Sequence, residues 1–168
     1  MYEFRQTIHH LLARTQQEAR KLMFDWWPDV RLQDLRDDLT KHQPGYSFLQ
    51  DPHNELQSSF KYLSRRAFRA DEGGFALQGD GRKRVLAYLK RRDRFVRLLF
   101  GGIHLTSGMP ARGEELRIIR WADTAAVPRN IFIYKTRIML VFSYNKASTR
   151  SNNSFYIVRV PCPIVERA

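Results

Sequence analysis

The chain has 168 residues, enough for one ordinary domain or two small ones, and its apolar and aromatic content suits a packed core rather than a disordered segment. Lys and Arg number 29 against 17 Asp and Glu, a formal net charge of +12 that attracts polyanions, nucleic acid first and an anionic membrane surface second. No apolar run approaches the roughly 20 residues of a membrane-spanning helix, and the lone Cys162 excludes an internal disulfide and fits a reducing compartment.

The N-terminus lacks the unbroken apolar core of a signal peptide, and Glu3 and Glu18 argue against a mitochondrial presequence. Ile8, Leu11, Leu12, Thr15, Ala19, Leu22 and Met23 recur at helical spacing and predict a first helix. Trp26-Trp27-Pro28 should end it, because proline disfavours helical geometry in the residue before it. Asp29 suits an N-cap for a short second helix carrying Leu32, Leu35 and Leu39. A loop follows, and Asp51-Pro52 is a helix start, with Leu56, Phe60, Leu63 and Ala67 as the third helix's buried face. The glycines and charges from Asp71 to Gly81 mark the expected boundary or hinge.

A fourth helix is expected from about Arg82 to Phe100, with Val85, Leu89, Val96 and Leu99 buried. Arg82, Lys83, Arg84, Lys90, Arg91, Arg92, Arg94 and Arg97 crowd its remaining surface, with Asp93 the lone acid. Gly101-Gly102 reads as its end or a hinge, and Pro110 opens a fifth helix through about Trp121 with Leu116 and Ile119 facing inward. After Asn130 the apolar period changes to two, giving strands at Ile131–Tyr134, Arg137–Tyr144 and Phe155–Val160. Lys135-Thr136 forms the first turn and Asn145 to Asn153 a polar loop. The fold class is α+β: a mainly helical N-terminal bundle over residues 1–72, then helices and a small three-stranded antiparallel sheet over 82–168. Trp26, Trp27 and Trp121 read as core or interface anchors. The five histidines lack metal-ligand spacing, so neither a metal nor another cofactor is expected.

Three constellations carry possible chemistry. Arg112 and Glu115 lie at i and i+3 near a helix start, where the carboxylate can aim the guanidinium at a phosphate for two parallel hydrogen bonds. The same pair also reads as a surface ion pair worth a few tenths of a kcal/mol. Lys146, between two strands, can reach a phosphate or donate a proton, or it is a solvated turn lysine. The basic fourth helix can neutralise a row of phosphates and release their counterions, or it is a solvated helix face.

Arg112-x-x-Glu115-Leu116, then Trp121-x-Asp123, then a short sheet with a lysine in a turn, resembles the opening half of the tyrosine recombinase catalytic domain. The resemblance implies a partial recombinase-like fold in which Arg112 clamps the scissile phosphate, Glu115 supports it and Lys146 acts on the leaving oxygen. His104 to Leu116, Arg129 to Ile133 and Tyr144 to Lys146, with Gly45 to Leu49 and Asn54, also resemble a region of large fungal proteins described as telomere-linked, RecQ-like helicases. That likeness runs from about Gly45 to Val160.

Recombinases require a later His-x-x-Arg and a nucleophilic tyrosine, whereas the seven tyrosines here lie before or within the strands. The Walker pattern of a helicase engine is absent. The expectation is therefore a nuclear DNA-binding module, without membrane partners and without strand cleavage on its own. It would hold the phosphate backbone through Arg84, Lys90, Arg91, Arg92, Arg94, Arg112 and Lys146. The alternatives are a piece of a strand-cleaving recombinase whose remaining residues lie on missing sequence, and a non-functional remnant.

Overall fold

The computed structural model describes residues 2–76, 78–108, 113–142 and 156–163, without the Glu114 side chain. The described residues form an α+β fold with a helical N-terminal part. Helix α1 (Tyr2–Leu22) buries Leu12, Thr15, Ala19 and Leu22, the stripe that the apolar spacing predicts. It stops short of the tryptophans. Phe24 and Asp25 take positive φ of 51° and 55°, and the Asp25 N–H donates to the Arg20 carbonyl at 2.9 Å. The turn sets the Phe24 ring 5.7 Å from both Phe75 and Tyr88. Trp26 packs 4.7 Å from Tyr62, but Trp27 and Trp121 are 47% and 53% exposed and do not anchor the core.

The expected second helix is one 3-10 turn, Leu32–Asp34, and Asp29 does not cap it. Asn54 explains the difference. Its amide accepts from the Arg36 N–H at 2.8 Å and donates to the Arg36 carbonyl at 2.8 Å and the Phe48 carbonyl at 2.7 Å. Those bonds hold Arg36 out of a helix. Asp51 does cap at Pro52, accepting from the His53 N–H at 3.0 Å, but only for the 3-10 turn Pro52–Asn54. Glu55 then takes a left-handed conformation, and helix α2 starts one residue later (Leu56–Phe68). The expected buried face of α2 is only half-buried at Leu56, Leu63 and Ala67, Phe60 is 71% exposed, and no residue of this helix is buried.

The segment after α2 is a turn tied back onto that helix. The Gly73 N–H donates to the Arg66 carbonyl at 3.1 Å and the Phe75 N–H to the Ala67 carbonyl at 2.9 Å. Helix α3 (Asp80–Thr106) is longer than expected and runs straight through Gly101-Gly102. These glycines are packing residues: Gly102 is buried, and a Cβ on Gly101 would lie 3.4 Å from the Leu11 side chain. Gly101 thus lies at the contact between α1 and α3, the main helix–helix contact of the fold. Tyr88 donates to the Leu22 carbonyl at 3.2 Å and takes the inner position expected of Leu89, which is 37% exposed. Because the added methyl makes an ordinary contact at 3.4 Å, Gly101→Ala should stabilise by about 0.5–1 kcal/mol, read as a higher urea midpoint.

Helix α4 (Gly113–Arg117) ends well before Trp121. Asn130 again redirects the chain. Its Oδ1 accepts from the Arg120 N–H at 2.8 Å, its own N–H donates to the Arg120 carbonyl at 2.9 Å, and its Nδ2 donates to the Val141 carbonyl at 2.8 Å. Leu116 and Ile119 nevertheless face the core, as their spacing predicts.

Strands β1 (Ile131–Tyr134), β2 (Arg137–Phe142) and β3 (Ile157–Arg159) form an antiparallel sheet in the order β1-β2-β3. Ile131 pairs with Leu140 and Leu140 with Arg159. Lys135, with φ 56°, supplies the tight turn between β1 and β2. The expected strand ends at Tyr144 and Phe155 lie outside the described residues. One hydrophobic core joins Leu12 of α1, Ile103 of α3, Leu116 of α4 and Leu140 and Phe142 of β2. Residues from both sides of the glycine-rich segment at 71–81 therefore share it.

Candidate nucleic-acid interface

A helix advances about 100° per residue, so Lys83, Lys90, Arg94 and Arg97 fall within about 60° of one another on α3. That stripe spans about 21 Å of helix at 1.5 Å per residue. It lies away from the side on which Val85, Tyr88, Val96, Leu99 and Ile103 pack inward. Lys90, Arg94 and Arg97 line a shallow hollow together with Asp93 and Leu98. Among the described residues Lys90 and Arg97 have no ion-pair partner. Lys83 pairs with Asp80 at 3.1 Å, but both side chains are largely exposed and solvent screens the attraction.

The other basic residues of α3 are partly committed. Arg84 donates to the Ala70 carbonyl at 3.3 Å and so holds the turn after α2. Arg92 pairs with Asp93 at 2.7 Å, which balances its charge locally. Arg91 and Arg94 approach Glu18 of α1 at 3.7 and 3.8 Å, and Lys21 approaches it at 3.9 Å. Glu18 is buried, and its Oε2 has no hydrogen-bond partner. One carboxylate thus ties α1 to α3 beneath three cations and leaves a surplus of positive charge outside. A glutamate on the apolar stripe of α1, between Thr15 and Ala19, was the sequence signal for this anchor.

Arg112 and Lys146, the two positions matched to recombinase catalytic residues, lie outside the described residues. Their supposed supporter is described. Glu115 is buried, and its Oε2 lies 3.6 Å from Nη2 of Arg159 on β3; the two side chains are 5% and 7% exposed. The Arg159 guanidinium also sits 5.9 Å from the Phe142 ring centre, and its Nε has no hydrogen-bond partner. Glu115 is therefore an interior group facing an arginine of the sheet, while its expected pairing with Arg112 lies outside the described residues. Sequence reasoning missed Arg159; its hint was a cation at an inward position of a strand.

A third cluster is fully interior. Arg129 donates from Nη2 to Asp37 Oδ1 at 2.7 Å and from Nη1 to Asp123 Oδ2 at 2.8 Å. It also donates to the carbonyls of Asp38 and Lys41, each at 3.1 Å. The rings of Tyr46 and Phe132 lie 4.8 and 4.4 Å from the guanidinium carbon. Asp123 Oδ1 takes the Arg129 N–H at 2.7 Å, and Asp37 Oδ2 takes the Ile133 N–H at 3.0 Å. Burial raises the Asp37 carboxyl above the usual aspartate range, against the pull of the Ile133 N–H and the Arg129 charge. None of this charge can meet a phosphate, because the Arg129 side chain is 0% exposed. The Asp123 of the Trp-x-Asp pattern is thus part of a structural clamp.

The described residues contain no helix long and apolar enough to cross a membrane and no cluster of potential metal ligands. Comparisons with protein-family models, with curated proteins and with solved structures find no match to this chain.

Proposed function

We propose that this chain is a DNA-binding module that holds the phosphate backbone along the outer stripe of α3. The carrying observation is that Lys83, Lys90, Arg94 and Arg97 share one solvent-facing side of a single long helix, on a chain of net charge +12. A rigid row of cations neutralises successive phosphates and releases their condensed counterions, whatever the base sequence. The core contact with α1 and the Glu18 anchor keep the row straight. Arg84, Arg91 and Arg92 lie off the stripe and are engaged within the protein, so they lend long-range field more than direct contacts, whereas Arg94 approaches Glu18 but stays on the stripe and largely exposed.

A finer reading places the module in the nucleus, in a fungal recombinase- or helicase-associated region, with Arg112 and Lys146 as further phosphate contacts. The second reading, a piece of a strand-cleaving recombinase, draws on the interior Glu115, which has the burial needed to hold an arginine in a fixed direction. Nicking of supercoiled DNA by a chain extended with its downstream coding sequence would favour that second reading. The binding module is tested by fluorescence anisotropy with two 20-base-pair duplexes of unrelated sequence. Both should bind with similar affinity at 50 mM salt and weaken steeply by 200 mM; no binding at 50 mM would refute it.

A further inference from the structure

Helix α2 carries a pattern the α3 stripe does not use. Phe60, Ser64 and Phe68 recur every four residues, and Lys61, Arg65 and Arg69 recur every four residues directly beside them. Residues four apart are neighbours on a helix surface, so the two series run as parallel lines, one with an aromatic ring at each end and one cationic. Phe60 and Phe68 are 71% and 70% exposed, far from the burial usual for such large apolar rings. The helix itself contains no acidic residue. Lys61 and Arg65 have no ion-pair partner among the described residues, while Arg69 is paired with Asp71 at 3.2 Å. A shallow hollow on this face is lined by Ser64, Arg65, Phe68 and Arg69. Phe68 is also steadied from behind, with the Phe75 ring edge-on at 6.2 Å.

We infer that this face of α2 binds a single strand of nucleic acid, with bases stacked on Phe60 and Phe68 and phosphates beside Lys61 and Arg65. The inference rests on the nucleic-acid reading given above but assigns a second surface and a strand form. Alternating rings and cations are what an unpaired strand requires, because it offers a π-face and a charge at every nucleotide. A paired duplex hides its base faces and gains nothing from the rings. A membrane would demand a wider apolar face, since here only two rings, with Ser64 between them, point outward. The Arg84 bond to the Ala70 carbonyl at 3.3 Å ties the turn after α2 to the start of α3.

The test uses the full chain and anisotropy of labelled 20-nucleotide oligothymidine and of a 20-base-pair duplex, for the wild type and for Phe60→Ala/Phe68→Ala. The two rings are mostly solvent-exposed, and circular dichroism confirms that the variant folds. The variant should bind the single strand at least about tenfold more weakly, since base–aromatic stacking is lost at two positions, while duplex affinity stays within about twofold. Phe60→Trp/Phe68→Trp should keep single-strand affinity, and Phe60→Leu/Phe68→Leu should lose it, which separates stacking from general apolar contact. Unchanged single-strand binding, equal loss on both probes, or no single-strand binding by the wild type overturns the inference. So does ring-dependent binding to phosphatidylserine vesicles without a ring effect on oligothymidine. Duplex binding with ring-independent single-strand binding leaves the α3 reading standing and removes this one. Ring-dependent single-strand binding without duplex binding supports this one and removes the α3 reading.

Discussion

Arg129→Ala is expected to destabilise the protein by about 3–5 kcal/mol, the range for breaking a buried ion pair by removing one partner. The large size follows from what is left behind. Asp37 and Asp123 side chains are 0% and 2% exposed, and each loses a charged hydrogen bond shorter than 3 Å. The same guanidinium also serves the Asp38 and Lys41 carbonyls, so its removal leaves the 37–41 segment tied to β1 through the Asp37–Ile133 N–H bond alone. Arg129→Lys should recover little, because one ammonium cannot fork toward two carboxylates. An Asp37→Asn/Asp123→Asn/Arg129→Met variant should recover part of the loss, since it leaves no charge unpaired. Urea denaturation measures all three.

The pH dependence of that deficit has a definite sign. Asp37 is already raised by burial in the native protein, so its folded form binds a proton more readily than its unfolded form. Its ionisation therefore subtracts stability as pH rises from the ordinary aspartate value through the raised folded value. Without Arg129 to oppose burial the rise is larger. The Arg129→Ala deficit should then narrow as pH is lowered from 7 toward 5. A deficit that widens on acidification would contradict this account of the clamp.

The second large effect concerns binding. Lys90→Ala/Arg94→Ala/Arg97→Ala removes three neighbouring charges from the α3 stripe and leaves its apolar side intact. Counterion release makes each phosphate contact contribute about 1–1.5 kcal/mol at 50 mM salt, so the triple variant should bind duplex DNA roughly a hundred- to a thousandfold more weakly. Arg82→Ala, nearer the edge of the stripe, should cost less. Thermal melting of the triple variant checks the fold, since Arg94 also neighbours Glu18 at 3.8 Å.

Much of the fold was legible from local pattern. Period 3.6 in α1 and α3, period 2 in β1 and β2, and the Lys135-Thr136 turn are short-range signals, and the structure carries all of them. The misses share one cause. Asn54 and Asn130 spend their side chains on backbone groups 18 and 10 residues away, ending helices that local propensity would continue. The glycines at 101–102 read as a helix end because glycine is a poor helix former, yet tertiary packing carries α3 through them, with Gly101 against Leu11 and Gly102 buried. Phe60 fits an inward face of α2 by spacing alone, but no residue of that helix is buried. For the candidate site, the basic helix was visible as a charge run. Its division into committed and free cations was not, because Glu18 approaches from a separate helix. The clamp at Arg129 joins Asp37 and Asp123 across 92 and 6 residues, a pairing no local pattern encodes.

The most direct test of the central claim is the slope of log affinity against log salt for duplex DNA, measured for the wild type and for Lys90→Ala/Arg94→Ala/Arg97→Ala. Phosphate contact along α3 predicts that the slope of the variant is shallower by about 2 to 3, one lost counterion-releasing contact per residue removed. Parallel lines for the two proteins would mean that the backbone is held elsewhere, or not held at all.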